Sequence, residues 1–288
     1  MNKFWTLLPL AAMHVAVVDA QPYPVRPIRV VVGSSAGGGG DGVARVMAAK
    51  LTPLLGQQVV VDNRPGAAGN IGTEMVARAA ADGYTLLFAY TGHVINPALF
   101  KKLPFDPLKD FAPVGLIGYN NSALVVNAAL PVNSVKELIA LARARPGKLT
   151  AGAIPGGSQH LATEMLKISA GVDFLYVPYK GNGPAMSDLL AGQLDFMFNS
   201  LQLVAPLARA NRLRALAVTS EKRSELMPEL PTISEAAIKG FSAQGWYGFI
   251  APAGTPHTVV AKLNEAMNAV LRDADTQQRF KAMGNEIE

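Results

Sequence analysis

From residue 28 onward, apolar positions fall into short unbroken runs separated by longer stretches in which they recur every three or four residues. The runs at 28–32, 58–61, 85–89, 112–117 and 122–126 are dominated by apolar, often β-branched residues, which predicts buried strands. The stretches at 42–55, 72–80, 134–144 and 159–170 predict helices. Asn133 or Ser134 offers an N-cap for the third of these, whose apolar stripe is Val135, Leu138, Ile139 and Leu141. Pro146-Gly147 stops it. Strands alternating with helices predict an α/β chain built on mainly parallel sheet covered by helices.

Where the first strand ends, Gly33-Ser34-Ser35-Ala36-Gly37-Gly38-Gly39-Gly40-Asp41 leads into the first helix. Glycine permits positive φ and lets backbone N–H groups approach a ligand closely. The free N–H groups and dipole of the following helix favour a negative charge there. The pattern returns about 120 residues later, where Gly152-Ala153-Ile154-Pro155-Gly156-Gly157-Ser158-Gln159-His160 again passes from strand through glycine turn to helix. Two anion-friendly turns, each at the carboxyl end of a strand, predict two lobes facing each other across a ligand cleft.

Composition narrows the reading. Residues 1–20 carry Lys3, a mostly apolar run, and small residues Val18 and Ala20 at the −3 and −1 positions before Gln21, the layout of a cleavable secretory signal peptide. A periplasmic location follows as an expectation. No later stretch is long and apolar enough to cross a bilayer. The chain has no cysteine, which excludes disulfides, thiolate metal sites and a cysteine nucleophile. The net charge of +5 is scattered rather than gathered into a basic, aromatic-interleaved patch, so no nucleic-acid partner is expected. The length suits two lobes better than one small core.

Candidate chemistry is sparse. His93, His160 and His257 stand far apart and none belongs to an H-x-x-x-H pair, so no metal is expected. There is no G-x-S-x-G elbow. His160 is read as a cap or packing group, whereas His93, after a strand, is placed either at the cleft or in packing. The rival reading is a dinucleotide-binding α/β enzyme. Gly37, Gly39 and Gly42 match G-x-G-x-x-G, and Asp62 follows Gly42 by 20 residues, where a ribose-binding acid would lie. Four consecutive glycines match several such patterns by chance, and no nucleophile–base pair accompanies them.

Ordered motifs along the chain carry a family resemblance. They are Pro24-Val25-Arg26-Pro27-Ile28-Arg29, Ala36-Gly37-Gly38-Gly39-Gly40-Asp41 with Ala44-Arg45, Asp62-Asn63-Arg64-Pro65-Gly66-Ala67 and Asn96-Pro97-Ala98-Leu99-Phe100. Leu103-Pro104-Phe105-Asp106-Pro107, His160-Leu161-Ala162, Val177-Pro178-Tyr179-Lys180-Gly181, Gly192-Gln193-Leu194-Asp195 and Ala251-Pro252-Ala253-Gly254-Thr255-Pro256 follow. In this order the chain resembles the Bug or TctC family, periplasmic receptors of tripartite tricarboxylate transporters. The resemblance implies a two-lobed Venus-flytrap receptor, similar to the type II periplasmic binding proteins, that closes on a small carboxylate. It also implies delivery of that solute to a membrane permease, without catalysis or a cofactor, and action as a monomer.

Carried onto this chain, the resemblance places the carboxylate at Ser34, Ser35, Ala36, Gly37, Gly38, Gly39 and Asp41 of the first lobe and at Gly156, Gly157 and Ser158 of the second. Tyr90, Thr91 and His93 form a further first-lobe loop. Lys180, Gly181, Asn182, Asn199 and Ser200 would meet the distal part of the solute. The chain departs from the family at Gly33, Ser34, Gly40, Ile154 and Gly157, which leaves amino acid, dicarboxylate, tricarboxylate and aromatic acid all open. Relatives also continue past the position of Gly284, so cover for some first-lobe apolar surface is expected to be missing. The expected division is residues 21–120 with 245–288 as lobe one and 121–244 as lobe two. Gly118, Gly245 and Gly248 serve either as hinges or to relieve crowding, and Trp246 and Tyr247 either pack in the core or line the cleft.

Overall fold

The structure is a computed structural model that describes residues 23–287. The proposed signal segment lies outside them. In chain order the elements are β1 (Ile28–Val32), α1 (Gly39–Leu55), β2 (Val59–Asn63), α2 (Asn70–Ala77), β3 (Thr85–Tyr90), α3 (Gly92–Leu99), β4 (Phe111–Asn120) and β5 (Ser122–Asn127). Then come α4 (Val135–Ala144), β6 (Thr150–Ala153), α5 (Ser158–Ala170), β7 (Leu175–Pro178), α6 (Asn182–Leu190), β8 (Phe196–Ser200) and α7 (Leu201–Arg209). The chain closes with β9 (Leu213–Val218), α8 (Ile233–Ala236), β10 (Gly245–Pro252), α9 (His257–Arg272), α10 (Ala274–Ala282) and β11 (Asn285–Ile287).

These strands form two sheets, ordered β11-β4-β10-β3-β1-β2 and β7-β6-β8-β5-β9. Each has its own core on both faces. In β1, Ile28, Val30 and Val32 turn toward α1, α9 and α10, while Val31 turns toward the opposite face with Val76, Leu87 and Phe105. In the second sheet Phe196 and Phe198 point one way and Met197 the other. Burial on both faces explains why these strands read as continuous apolar runs rather than alternating ones. The sheets are mixed, which corrects the expectation of mainly parallel pairing. β1 pairs parallel with β2 and β3, but β10 inserts antiparallel between β3 and β4. In the second sheet β5 runs antiparallel to both β8 and β9. The cause is the route of the chain. It passes from one sheet to the other between Asn120 and Ser122 and comes back at Gly245, so the returning strand meets its neighbours head to tail.

Both glycines at the crossing are dictated by close approach. Gly118 has φ +151°, and a Cβ built on it would lie 2.0 Å from the Glu286 carbonyl oxygen of the paired β11. A Cβ on Gly245 would lie 1.9 Å from Asn120 Oδ1. Gly171, by contrast, has φ +59° with nothing within 4 Å of a Cβ. Gly171→Ala is therefore expected to cost only the left-handed backbone penalty, about 1–2 kcal/mol. Gly118→Ala adds a backbone collision and is expected to cost at least twice as much. Urea unfolding of the two variants checks this, and equal midpoints would show that β11 does not hold Gly118 in place.

Candidate functional site

Helices that begin at the carboxyl ends of parallel strands share one property. α1, α2, α5, α6 and α7 start with no side-chain hydrogen bond to their first turn, as does α3. Elsewhere Ser134, Thr232 and Asp273 cap α4, α8 and α10 in the ordinary way; α9, starting after Pro256, has no side-chain cap either. An α-helix leaves its first N–H groups without an internal partner. For α1, α2, α5 and α6 the sequence puts glycine where a capping hydroxyl or carboxylate would normally sit.

Two of these starts are built alike. Gly37 (φ +82°) and Gly156 (φ +76°) are both left-handed. The next residues, Gly38 (φ −79°, ψ 166°) and Gly157 (φ −79°, ψ 163°), share one extended conformation. Gly42 N–H donates to Gly38 O at 3.0 Å, and Leu161 N–H donates to Gly157 O at 3.1 Å. Each turn is also braced by the side chain four residues beyond its left-handed glycine. Gly37 N–H donates to Asp41 Oδ2 at 2.9 Å, and Gly156 N–H to His160 Nδ1 at 3.3 Å. The N–H groups of Gly39 and Gly40 in one turn thus match those of Ser158 and Gln159 in the other.

Bracing changes the part some candidates play. Asp41 is buried, and it accepts from Gly37 N–H, from Arg45 and from Asn63 Nδ2 at 3.0 Å. Asn63 also donates to Ser34 O. Burial alone would push the Asp41 carboxyl up, but these hydrogen bonds and the Arg45 charge hold it below the ordinary carboxylate range. Asp41 therefore shapes the first turn, while Ser34 is half-buried and Ser35, Ala36, Gly37, Gly38 and Gly39 stay exposed. His160 stacks on Tyr176 with ring centroids 4.4 Å apart, and burial lowers its pKa against the opposing pull of Glu164. It is a neutral cap, as the sequence suggests.

The third first-lobe loop turns inward. Tyr90 donates to Ala68 O at 3.2 Å, and burial raises its phenol to about 12. Thr91 Oγ1 accepts from Trp246 N–H at 3.1 Å. His93 is a correction. It lies inside α3 with its ring against Phe105 and Phe111 and its Nε2 2.9 Å from Pro107 O, so it packs rather than lines the cleft. In the second lobe Asn199 is fully buried and its Oδ1 accepts from Ser200 N–H. Lys180 is exposed, and Gly181, Asn182, Gly157 and Ser158 are half-buried.

The second turn reaches the first sheet directly. A Cβ on Gly156 would lie 2.8 Å from Asn96 Oδ1 and 3.5 Å from Ala68 Cβ, and one on Gly92 would lie 3.3 Å from Gly156 O. Ser158 stands beside Gly245, where a Cβ would meet its Cβ at 3.0 Å. Tyr247 approaches the first turn: its hydroxyl lies 3.9 Å from a Cβ on Gly39, and its ring packs on Phe88. Close approach also accounts for Gly33, whose Cβ would lie 2.9 Å from Gly69 Cα. Two surface hollows lie elsewhere, one among Arg209, Arg214 and Glu229, the other behind the crossing strands among Lys222, Gln244 and Glu286.

The dinucleotide alternative finds no support. Gly42 sits inside α1, but a Cβ there would make only ordinary contact with Met283, at 3.9 Å, so no close helix–strand packing requires a glycine. Asp62 is paired with Arg29 and Arg64 instead of standing free. Among the described residues no group of three His, Asp or Glu stands close enough to hold a metal ion.

A pH-dependent outcome follows from Asp41. Its folded carboxyl titrates below the unfolded value of about 3.9. The stability it contributes is therefore complete above that value and is lost as pH falls further. Asp41→Ala is expected to cost about 2 kcal/mol at pH 7, with the gap to the parent closing below pH 4. Melting curves at pH 7 and pH 3 read it, and a gap independent of pH would contradict the assignment.

Comparison with known proteins agrees with this geometry. The description "Tripartite tricarboxylate transporter family receptor" matches residues 43–287. A Rhodopseudomonas palustris protein solved with adipate superposes with TM-score 0.86 and 38% identity, covering 92% of this chain and 89% of its own. The periplasmic binding protein BugD superposes with TM-score 0.83 and 39% identity, covering 92% and 89%. MatC from Rhodopseudomonas palustris, with bound malate, gives TM-score 0.83 and 33% identity over 92% and 91%. The chain belongs to the receptor family of tripartite tricarboxylate transporters, the Bug or TctC family, and has the two-lobed α/β fold of periplasmic binding proteins.

Proposed function

We propose that the protein is a periplasmic receptor that clamps one carboxylate between its two glycine turns and hands the solute to a tripartite tricarboxylate permease. The observation that carries this reading is the matched pair of uncapped helix starts, identical in backbone conformation and lying on the two lobes. A carboxylate offers about four lone-pair directions. Backbone N–H groups of the two turns, a hydroxyl and bridging waters meet them without a buried arginine. Hydrogen bonds to a charged group contribute roughly 1.5–3 kcal/mol each. A few of them, less the cost of closing the lobes, give micromolar binding, about −8 kcal/mol.

In this reading lobe one is residues 21–120 with 245–288, and lobe two is 121–244. Ser34 to Gly39 and Gly156 to Ser158 touch the carboxylate. Lys180 to Asn182 and Ser200 meet the far end of the solute, and Asp41, Tyr90, Thr91 and Asn199 hold the loops. The chain is exported by its signal peptide, acts as a monomer and catalyses nothing. Relatives solved with adipate and with malate support a small organic acid as the solute class.

A thermal-shift screen of mono-, di-, tri- and aromatic carboxylates tests the reading, since a ligand that binds only the folded state raises the midpoint by mass action. At least one carboxylate is expected to do so; a shift with NAD(H) and with no carboxylate would favour the enzyme instead. Gly38→Val and Gly157→Val have backbone angles that valine accepts. Each is expected to weaken the best ligand at least tenfold, about 1.4 kcal/mol, while His257→Ala at the start of α9 stays neutral. Unchanged affinity in both folded valine variants would move the site elsewhere.

A further inference from the structure

We propose that β10 gives the solute site a polar floor, with Tyr247 donating to the carboxylate and Asn120 accepting from a donor group on the adjoining carbon. The inference rests on the receptor reading above and goes on to name the kind of carboxylate.

Gly245 and Tyr247 are two residues apart on one strand and so face the same side of the sheet. Gly245 is opposite Asn120 in the β10–β4 ladder, and Tyr247 is opposite Gly118. Because Gly245 lacks a side chain, Asn120 lies across it, on the side where Gly245 meets Ser158 of the second turn. Two residues along β10, the Tyr247 hydroxyl stands beside Gly39 of the first turn. A single face of β10 thus runs from beneath one turn to beneath the other.

Both polar groups on that face are unspent. Asn120 is 8% exposed, and its Oδ1 is buried without a hydrogen-bond partner. Among the described residues the Tyr247 hydroxyl has none either. Burial raises the Tyr247 phenol well above its ordinary range, so it remains a donor at any pH the protein meets. A donor beside the first turn suits a carboxylate oxygen. The buried amide oxygen at the other end of that face needs the opposite, and leaving it unpaired is costly. A methylene group cannot satisfy it; a hydroxyl or amino group can. The favoured solutes are therefore carboxylates bearing a hydroxyl or amino group on the carbon next to the carboxylate.

Calorimetric titration of the full chain with three matched pairs tests this: malate and succinate, lactate and propionate, mandelate and phenylacetate. Within any pair that binds, the hydroxy acid is expected to bind about tenfold more tightly, the worth of one paired buried acceptor. Asn120→Ala is expected to bring that ratio close to one. Tyr247→Phe is expected to weaken both members severalfold and keep the ratio. Circular dichroism confirms folding, and Asn120→Leu replaces the alanine variant should that one not fold. Equal binding within every pair that binds, or a ratio that survives loss of the Asn120 amide, overturns the assignment of Asn120. Unchanged affinity in folded Tyr247→Phe overturns that of Tyr247. Absence of binding by every carboxylate, these six and those of the thermal screen alike, would instead remove the receptor reading, and this inference with it.

Discussion

The constraint on which the rest of the structure depends is that helix N–H groups at the cleft edge are given no side-chain acceptor. A hydroxyl or carboxylate cap typically stabilises a helix by about 1 kcal/mol, and the chain uses such caps where Ser134, Thr232 and Asp273 stand. At Gly38 and Gly157 it forgoes them. The turns are held in shape from behind instead, by Asp41 and by His160, each of which takes the N–H of a left-handed glycine; in the second turn Gly157 N–H is also spent, on Ile154 O. The two braces differ in charge. Asp41 is an anion neutralised by Arg45, and His160 is a neutral ring stacked on Tyr176, so neither brace adds net negative charge to its turn.

Residues of the first sheet reach both turns. The second turn meets the first sheet through backbone, with Gly156 against Gly92 and Asn96, because side chains there would hold the lobes apart. The crossing strands supply the rest. β4 ends on Asn120, β10 begins on Gly245, and the residue two further along reaches the opposite turn. On the far side of this crossing Asn121 donates to Glu286 at 2.6 Å and Gln244 donates to Asn121 at 2.8 Å, which ties β11 to both passages of the chain.

Much of this was legible in the sequence wherever the signal is local. Strand, glycine turn and helix lie within about fifteen residues, so both turns could be read, and the strands buried on both faces announced themselves as apolar runs. The α1 boundary came out three residues early because Gly39 and Gly40 are helical in spite of their low propensity, with an extended Gly38 before them. What could not be read depends on distant partners. His93 after a strand has no sequence signal that sends it to Phe105 and Phe111. Asn120 and Tyr247 are more than 120 residues apart, and only the register of β4 with β10 makes them neighbours. The mixed pairing of the sheets has the same origin, since a strand returning from the other lobe carries no local mark of its direction.

The most direct test of the central claim is a nuclear magnetic resonance titration of the 15N-labelled protein with the tightest-binding carboxylate. A clamp shared by the two turns predicts that the amide resonances of Gly39 and Gly40 and those of Ser158 and Gln159 move together, downfield in proton shift, with one common dissociation constant. Shifts confined to one turn, or two sets that follow different dissociation constants, would contradict it.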